Sequence, residues 1–245
     1  MMTMDILFPL ASVSATDNLE LRFALRSIYA HAENVGRIWI ATDNPPAWLQ
    51  RDTDLIRILN VSDRHRHCKD ANLFEKVLAY CRDRDSVEDF LFWSDDQCLM
   101  RPFDLAKTEP TKRMRDLDDF DNANKWQNRL QRTMRLAATH GIRPDHHCET
   151  HVPQPHKRLD VLRAMAGIDY WTPPGYTINT FIYGRTGVVP AVLMGSVKRT
   201  FERPEDAGQP FDRRWIGYND VGFNTGLRDR LAAYFPTQSP WEVKS

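Results

Sequence analysis

At 245 residues the chain has room for one large α/β domain or two small ones, and its 42% hydrophobic and 27% charged residues are ordinary for a globular protein with a core. Lys plus Arg and Asp plus Glu each number 33, giving zero formal net charge and a sequence pI near 7.1. That balance argues against a protein whose main work is clamping nucleic-acid backbone. The four cysteines, Cys68, Cys81, Cys98 and Cys148, form no CxxC pair and read as reduced thiols of a cytoplasmic protein. No apolar run approaches the roughly 20 residues of a membrane span. The N-terminal apolar run follows no basic segment and is interrupted by Asp5, so it reads as a core strand rather than a signal peptide.

Strand and helix signals alternate over the first hundred residues. Asp5–Leu10 is a short apolar strand closed by Pro9 and a Ser/Thr-rich turn. Asp17 or Asn18 then caps a helix in which Leu21, Ala24, Leu25 and Ile28 recur at helical spacing. Arg37–Thr42 is a second strand, stopped by Asp43-Asn44-Pro45-Pro46, and Asp54–Leu59 a third. Asp70–Arg82 is an amphipathic helix with Leu73, Val77, Leu78 and Cys81 on one face and Asp70 and Asn72 as cap residues. Asp89–Ser94 is a fourth strand, almost wholly apolar as a strand buried on both faces must be. This alternation implies one α/β unit with a largely parallel, Rossmann-like sheet flanked by helices, whose ligands sit beyond the carboxyl ends of the strands.

The second half is less regular. Asp116–Thr139 reads as a polar covering helix with Leu130, Met134 and Ala137 as a thin apolar stripe, and His140–His156 as a histidine-rich loop. Lys157–Ala166 is a further helix, Pro173-Pro174-Gly175 a sharp break, and Tyr176–Ser245 an aromatic, short-segmented stretch without a clear pattern. No repeat or linker divides the chain, so it reads as a single domain.

Asp95 and Asp96 stand directly after the fourth strand, where two adjacent carboxylates are costly to hold without a cation beside them. Mg²⁺ or Mn²⁺ prefers such oxygen ligands and can bridge them to a diphosphate; a plain acidic turn has the same sequence. Arg22 and Arg26 lie one helical turn apart, suited to a diphosphate or to an acidic structural partner. Lys76 could meet a phosphate as a point charge or pair with a surface carboxylate. His146, His147, His151 and His156 cluster with Cys148 and Glu149, yet lack the spacing of a zinc motif. His151 is the first candidate to complete the metal site or to act as acid or base, and His156 the second. Trp171 and Tyr176 flank the Pro-Pro-Gly break as candidate acceptor contacts, and Asp220 is a candidate base or a simple helix cap.

The segment NLELRFALRSI at Asn18–Ile28, the acidic pair within FLFWSDDQCL, and His151-Val152-Pro153 occur in an order that resembles the Stealth proteins and related phage and bacterial glycosyltransferase-like proteins of the GT-A fold. The likeness covers the first strand through the acidic pair, then the His-x-Pro segment, and more loosely the ending FPTQSPWE. It implies a metal-dependent glycosyltransferase with a nucleotide-binding half over residues 1–105 and a helical cover and acceptor half over 106–245. The helical insertion would follow the acidic pair, and the location would be the cytoplasm, or the host cytoplasm for a phage protein. The donor would be a nucleotide-diphosphate sugar, lying against Pro9, Leu10 and Ser14 after the first strand. Asp95 and Asp96 would carry Mn²⁺ or Mg²⁺, Arg22, Arg26 and Lys76 would meet phosphate, and Asp70 or Asn72 the ribose or base. The acceptor would be a glycan or modified DNA. In place of the Trp-Val-Asp-Gly-type motif often found in Stealth proteins, this chain has Phe8-Pro-Leu-Ala-Ser-Val-Ser14, a departure that favours sugar transfer over Stealth sugar-phosphate transfer. A reading from another class, a nucleic-acid or virion interaction protein, rests on Lys112-Arg113-Met114-Arg115 and on Arg129, Arg132 and Arg135.

Overall fold

The computed structural model describes residues 3–14, 16–51, 53–114, 124–140, 145–194, 201 and 203–243. A five-stranded sheet organises the chain. Its strands are β1 (Met4–Pro9), β3 (Val35–Ala41), β4 (Ile56–Leu59), β5 (Asp89–Phe92) and β10 (Gln154–Lys157), in the order β10-β5-β1-β3-β4. All neighbours are parallel except β10, which runs antiparallel to β5 at one edge.

Side-chain alternation explains why helices cover both faces. Ile6 and Phe8 of β1, Ile38 and Ile40 of β3, and Leu91 and Trp93 at the end of β5 point to one face. They meet Leu21, Ala24, Leu25 and Ile28 of α1 (Leu19–His31). Leu7, Trp39, Phe90 and Phe92 point the other way, toward α2 (Lys69–Arg82), α4 (Arg158–Met165) and α5 (Ile178–Thr186). Each of these side chains is removed from water, at about 1.5–3 kcal/mol apiece. The strands therefore read as continuous apolar runs because both faces are filled.

The remaining pieces flank this frame. Two-residue β2 (Ala32–Glu33) pairs with β7 (Phe103–Asp104), and β6 (Gln97–Leu99) pairs with β12 (Trp215–Gly217). β8 (Thr111–Met114) lies between β9 (His146–His147) and β11 (Val192–Leu193). Helix α3 (Lys125–Thr139) opens with a capping box between Asn124 and Gln127 and lies against α5. The short helix α6 (Asp220–Gly222) leads through one π-type turn to α7 (Arg228–Tyr234), packed beneath β6 and β12. Among the described residues no helix is long and apolar enough to cross a membrane.

Several local readings need correction. Asp17 and Asn18 do not cap α1 with their side chains: both have positive φ, and the Ser14 hydroxyl accepts from the Thr16 and Asn18 amides instead. Asp70 and Asn72 do not cap α2 either, because the helix begins one residue earlier, after Cys68. The histidine-rich segment is not one loop; His146 and His147 form β9, and His156 lies within β10. The covering helix begins at Lys125, and the predicted helical positions before Asn124 lie outside the described residues, as does Arg115. All four cysteines are buried free thiols.

Candidate functional site

From β1 the chain steps outward to β3 and β4, then returns to place β5 on the other side of β1. Loops leaving the carboxyl ends of β1 and β5 therefore diverge, the arrangement that opens a crevice in doubly wound sheets. A cavity of about 430 Å³ occupies that position. Pro9 and Ala11 reach it from β1, Asp63 from beyond β4, and Ser94, Asp95, Asp96 and Gln97 from beyond β5. The first two turns of α2 supply Lys69, Asp70, Asn72 and Lys76, and α3 supplies Trp126 and Arg129. Glu149, His151 and the start of α5, from Thr177 to Asn179, close the far wall.

Carboxylates dominate this lining. Asp63, Asp70, Asp95, Asp96 and Glu149 face three cations, Lys69, Lys76 and Arg129. The Asp95 carboxyl is pushed up to about 7, first by burial, then by the charges of Asp96 and Glu20, with Lys69 pulling against them. Burial likewise raises Asp70 to about 6 despite its ion pair with Arg129, and nearby Glu149 adds to the rise. Against the upward pull of its own burial, Asp63 is held low by the Lys76 ammonium, 2.5 Å away, and by Ser12. Among the described lining residues, carboxyl groups therefore outnumber cations.

Glu149 is fixed from behind. Its Oε1 accepts from the backbone N–H of Thr180 at 2.9 Å and the Thr180 hydroxyl at 3.1 Å, and its Oε2 accepts from Asn179 Nδ2 at 2.9 Å. The carboxylate therefore satisfies an N–H in the first turn of α5. Because the Asn179 amino group serves Glu149, its Oδ1 faces His156 Nε2 at 2.9 Å and must accept a hydrogen bond from it. Burial lowers His156 to about 4, so the imidazole stays neutral and carries its proton on Nε2. Burial also raises the Glu149 carboxyl above its usual range, against these hydrogen bonds.

Of the positions singled out by sequence, the cavity gathers Pro9, Asp70, Asn72, Lys76, Asp95, Asp96 and His151. His151 has φ 54°. Lys76, however, is buried and occupied: its ammonium is held by Asp63 and by the carbonyl of Leu10, so it fixes the loop after β1. Asn72 accepts from the His65 amide at 2.9 Å and pins the loop before α2. Leu10 contributes that carbonyl and buries its side chain, while Ser14 shapes the entry to α1. Arg22 and Arg26 are not cavity residues. Arg26 grips Glu242 through two 2.8 Å bonds, and Arg22 lies 3.4 Å from the same carboxylate and over Trp48, so this pair ties the C-terminal segment to α1. Asp220 is exposed outside the cavity, and Asn219 caps α6 by accepting from Gly222. His156 lies behind the wall, against Phe90, Phe92 and Tyr183. Trp171 is half exposed outside the cavity, and Tyr176 carries the Arg132 guanidinium at 4.3 Å.

Sequence reasoning did not single out Asp63, Lys69 or Asn179 for the site. Asp63 had a usable signal, a polar residue just beyond a strand's carboxyl end; Asn179 had none, because only the packing of α5 brings it to Glu149.

Among the described residues, no group of three or more His, Cys, Asp or Glu side chains is arranged to hold a metal ion. A closed protein cage is not needed for a Mg²⁺-like ion, which commonly takes one or two carboxylates and fills its shell with phosphate and water. Asp95 and Asp96, in a lining where carboxyl groups outnumber cations and with space in front of them, fit that partial donor set.

The fold and cavity define an α/β protein with an acidic crevice at the switch point of a mostly parallel sheet. No protein-family model matches the chain, and no curated protein matches it at a significant level.

Proposed function

We propose that the protein is a metal-dependent glycosyltransferase of GT-A type that moves a sugar from a nucleotide-diphosphate sugar to an acceptor. The observation that carries this reading is the acidic pair. Asp95 and Asp96 open into the switch-point cavity, and the raised Asp95 carboxyl marks a place where an added cation would be stabilised. A divalent ion there would neutralise charge developing on the departing diphosphate.

The chain's own residues supply the rest. Lys69, exposed at the start of α2, is placed to draw phosphate toward the acidic pair. From α3, Arg129 is paired with Asp70 across the crevice, and Trp126 adds an aromatic ring to the lining suited to a base or sugar. Glu149 is held in one orientation by Asn179 and Thr180 and is suited to receive the proton of the attacking hydroxyl. In that step the acceptor O–H bond breaks, the new C–O bond forms at the sugar's anomeric carbon, and the bond to the diphosphate breaks. Of the three arginines of α3 named for a nucleic-acid surface, Arg129 and Arg132 are engaged with Asp70 and Tyr176, while Arg135 is exposed.

Titration calorimetry of UDP- and GDP-sugars with and without Mn²⁺ tests the proposal. Binding should require the metal and fall at least tenfold in Asp95→Asn and Asp96→Asn. Metal-independent binding, or binding indifferent to both substitutions, would sink it. Release of UDP or GDP during turnover would support glycosyl transfer, whereas UMP with a new phosphodiester would support sugar-phosphate transfer.

A further inference from the structure

A second cavity, of about 370 Å³, lies next to the first, with Val152 lining both. Its charge is opposite. Among the described residues, Lys107, Arg213 and Arg214 line it with one carboxylate, Glu109, and the Lys107 ammonium also lies 3.2 Å from Asp104 beside the lining. Its walls include two aromatic rings, Phe103 and Trp215, packed edge to face with centroids 5.8 Å apart, and the Arg214 guanidinium lies 4.7 Å over the Phe103 ring.

Backbone pairing sets the distance between the two cavities. β12 runs antiparallel to β6, so Gly217 faces Gln97 and Trp215 faces Leu99. The Tyr218 amide donates to the Asp96 carbonyl at 3.1 Å, while the Arg214 carbonyl accepts from Met100 at 2.7 Å. Arg214 thus lies four residues along the chain from the residue bonded to the acidic pair, about 13 Å of extended backbone. The Trp215 ring also meets Trp93, two residues before Asp95, at 5.2 Å. One short strand fixes a cationic, ring-walled pocket at a set separation from the acidic crevice.

We propose that this second cavity binds the acceptor, and that the acceptor is a phosphorylated sugar. Cations suit the phosphate, the apolar wall of Val152, Pro153, Val192 and Met194 suits the less polar face of a sugar ring, and Glu109 suits its hydroxyl groups. Naming this ligand the acceptor rests on the proposed glycosyl transfer; the ligand class rests on the cavity alone. The opposed charges sort the two phosphates between the neighbouring cavities: the acidic crevice repels a phosphate that arrives without a metal, and the basic pocket attracts it.

The test uses the full-length protein and α-D-glucose 1-phosphate as probe, followed by ligand-observed NMR and calorimetry without divalent metal. Wild type should bind the probe more tightly than inorganic phosphate, and methyl α-D-glucoside should not compete. Arg214→Glu should weaken the probe at least tenfold, and Lys107→Glu should weaken it too, giving a second readout should the first variant fold poorly. Asp95→Asn should leave it unchanged. Undetectable binding, equal binding of inorganic phosphate, or retained affinity in both charge-reversal variants overturns the assignment. Loss in Asp95→Asn with retention in Arg214→Glu would move the ligand to the first cavity and also overturn it. If metal-dependent nucleotide binding fails while this pattern holds, the pocket stands and the transferase reading falls.

Discussion

Asp95 carries a cost that the folded chain bears at neutral pH. Its carboxyl is raised to about 7 by burial and by Asp96 and Glu20, whereas an unfolded aspartate ionises near pH 4. The folded state therefore holds the proton over a window in which the unfolded state has lost it. This group's contribution is most favourable below about pH 4 and is lost as pH rises toward and through about 7. Asp95→Asn removes the penalty. Urea unfolding should find the variant more stable than wild type by about 2 kcal/mol at pH 8. The difference should shrink toward zero at pH 4. Added Mg²⁺ at pH 8 should raise the melting temperature of wild type and leave the variant unmoved. A variant less stable than wild type at pH 8 would mean that the carboxylate is already compensated within the protein.

Elements place these residues, and α3 reaches the crevice by packing closely on α5. Its Ala137 lies against Gly184 of α5 so closely that a Cβ added at Gly184 would stand 2.7 Å from the Ala137 Cβ. A similar demand holds at Gly175, with φ 77° and the Cys68 sulfur 2.5 Å from the place of a Cβ. Gly184→Ala should therefore push α3 outward, costing about 1–3 kcal/mol and loosening Arg129 and Trp126 over the crevice. Ala137→Gly in the same chain should recover much of that loss despite its own helix penalty, with a coupling of about 1 kcal/mol or more in a double-mutant cycle. Additive effects would show that the close approach does not position the helix. At this scale, the sequence disclosed α1 and α2 through their apolar periodicity, because each buries a regular face, and β5 through its continuous apolar run, because both its faces are buried. The histidine-rich segment concealed β10, whose Gln154-Pro155-His156-Lys157 has none of the usual strand composition. An edge strand can carry such residues because its pairing with β5, not its side chains, places it in the sheet.

Across the whole molecule, the sheet's carboxyl end was legible because buried parallel strands announce themselves, and the acidic pair follows one of them directly. The second cavity was not legible. It is assembled from residues near 103–111, 152–153, 192–194 and 213–215, which become neighbours only through short strand pairings. These two constructions differ in stability. β1 is buried along its whole length and paired on both sides, whereas β9 and β11 contribute two residues each to their sheet. Opening the central sheet must expose both apolar clusters, while separating β8 from β11 exposes little. In native-state hydrogen exchange, amides of Leu7, Phe8, Ile40 and Leu91 should exchange only through global unfolding. Those of Lys112, Arg113 and Leu193 should exchange through local openings at least a hundredfold faster. Equal protection in the two sheets would mean that they unfold as one unit. The expected gradient would place the acidic crevice on the rigid frame and the β8–β11 wall of the basic pocket on the part that can adjust to its ligand, so that binding at the pocket should slow exchange at Lys112 and Leu193 without changing it at Leu7.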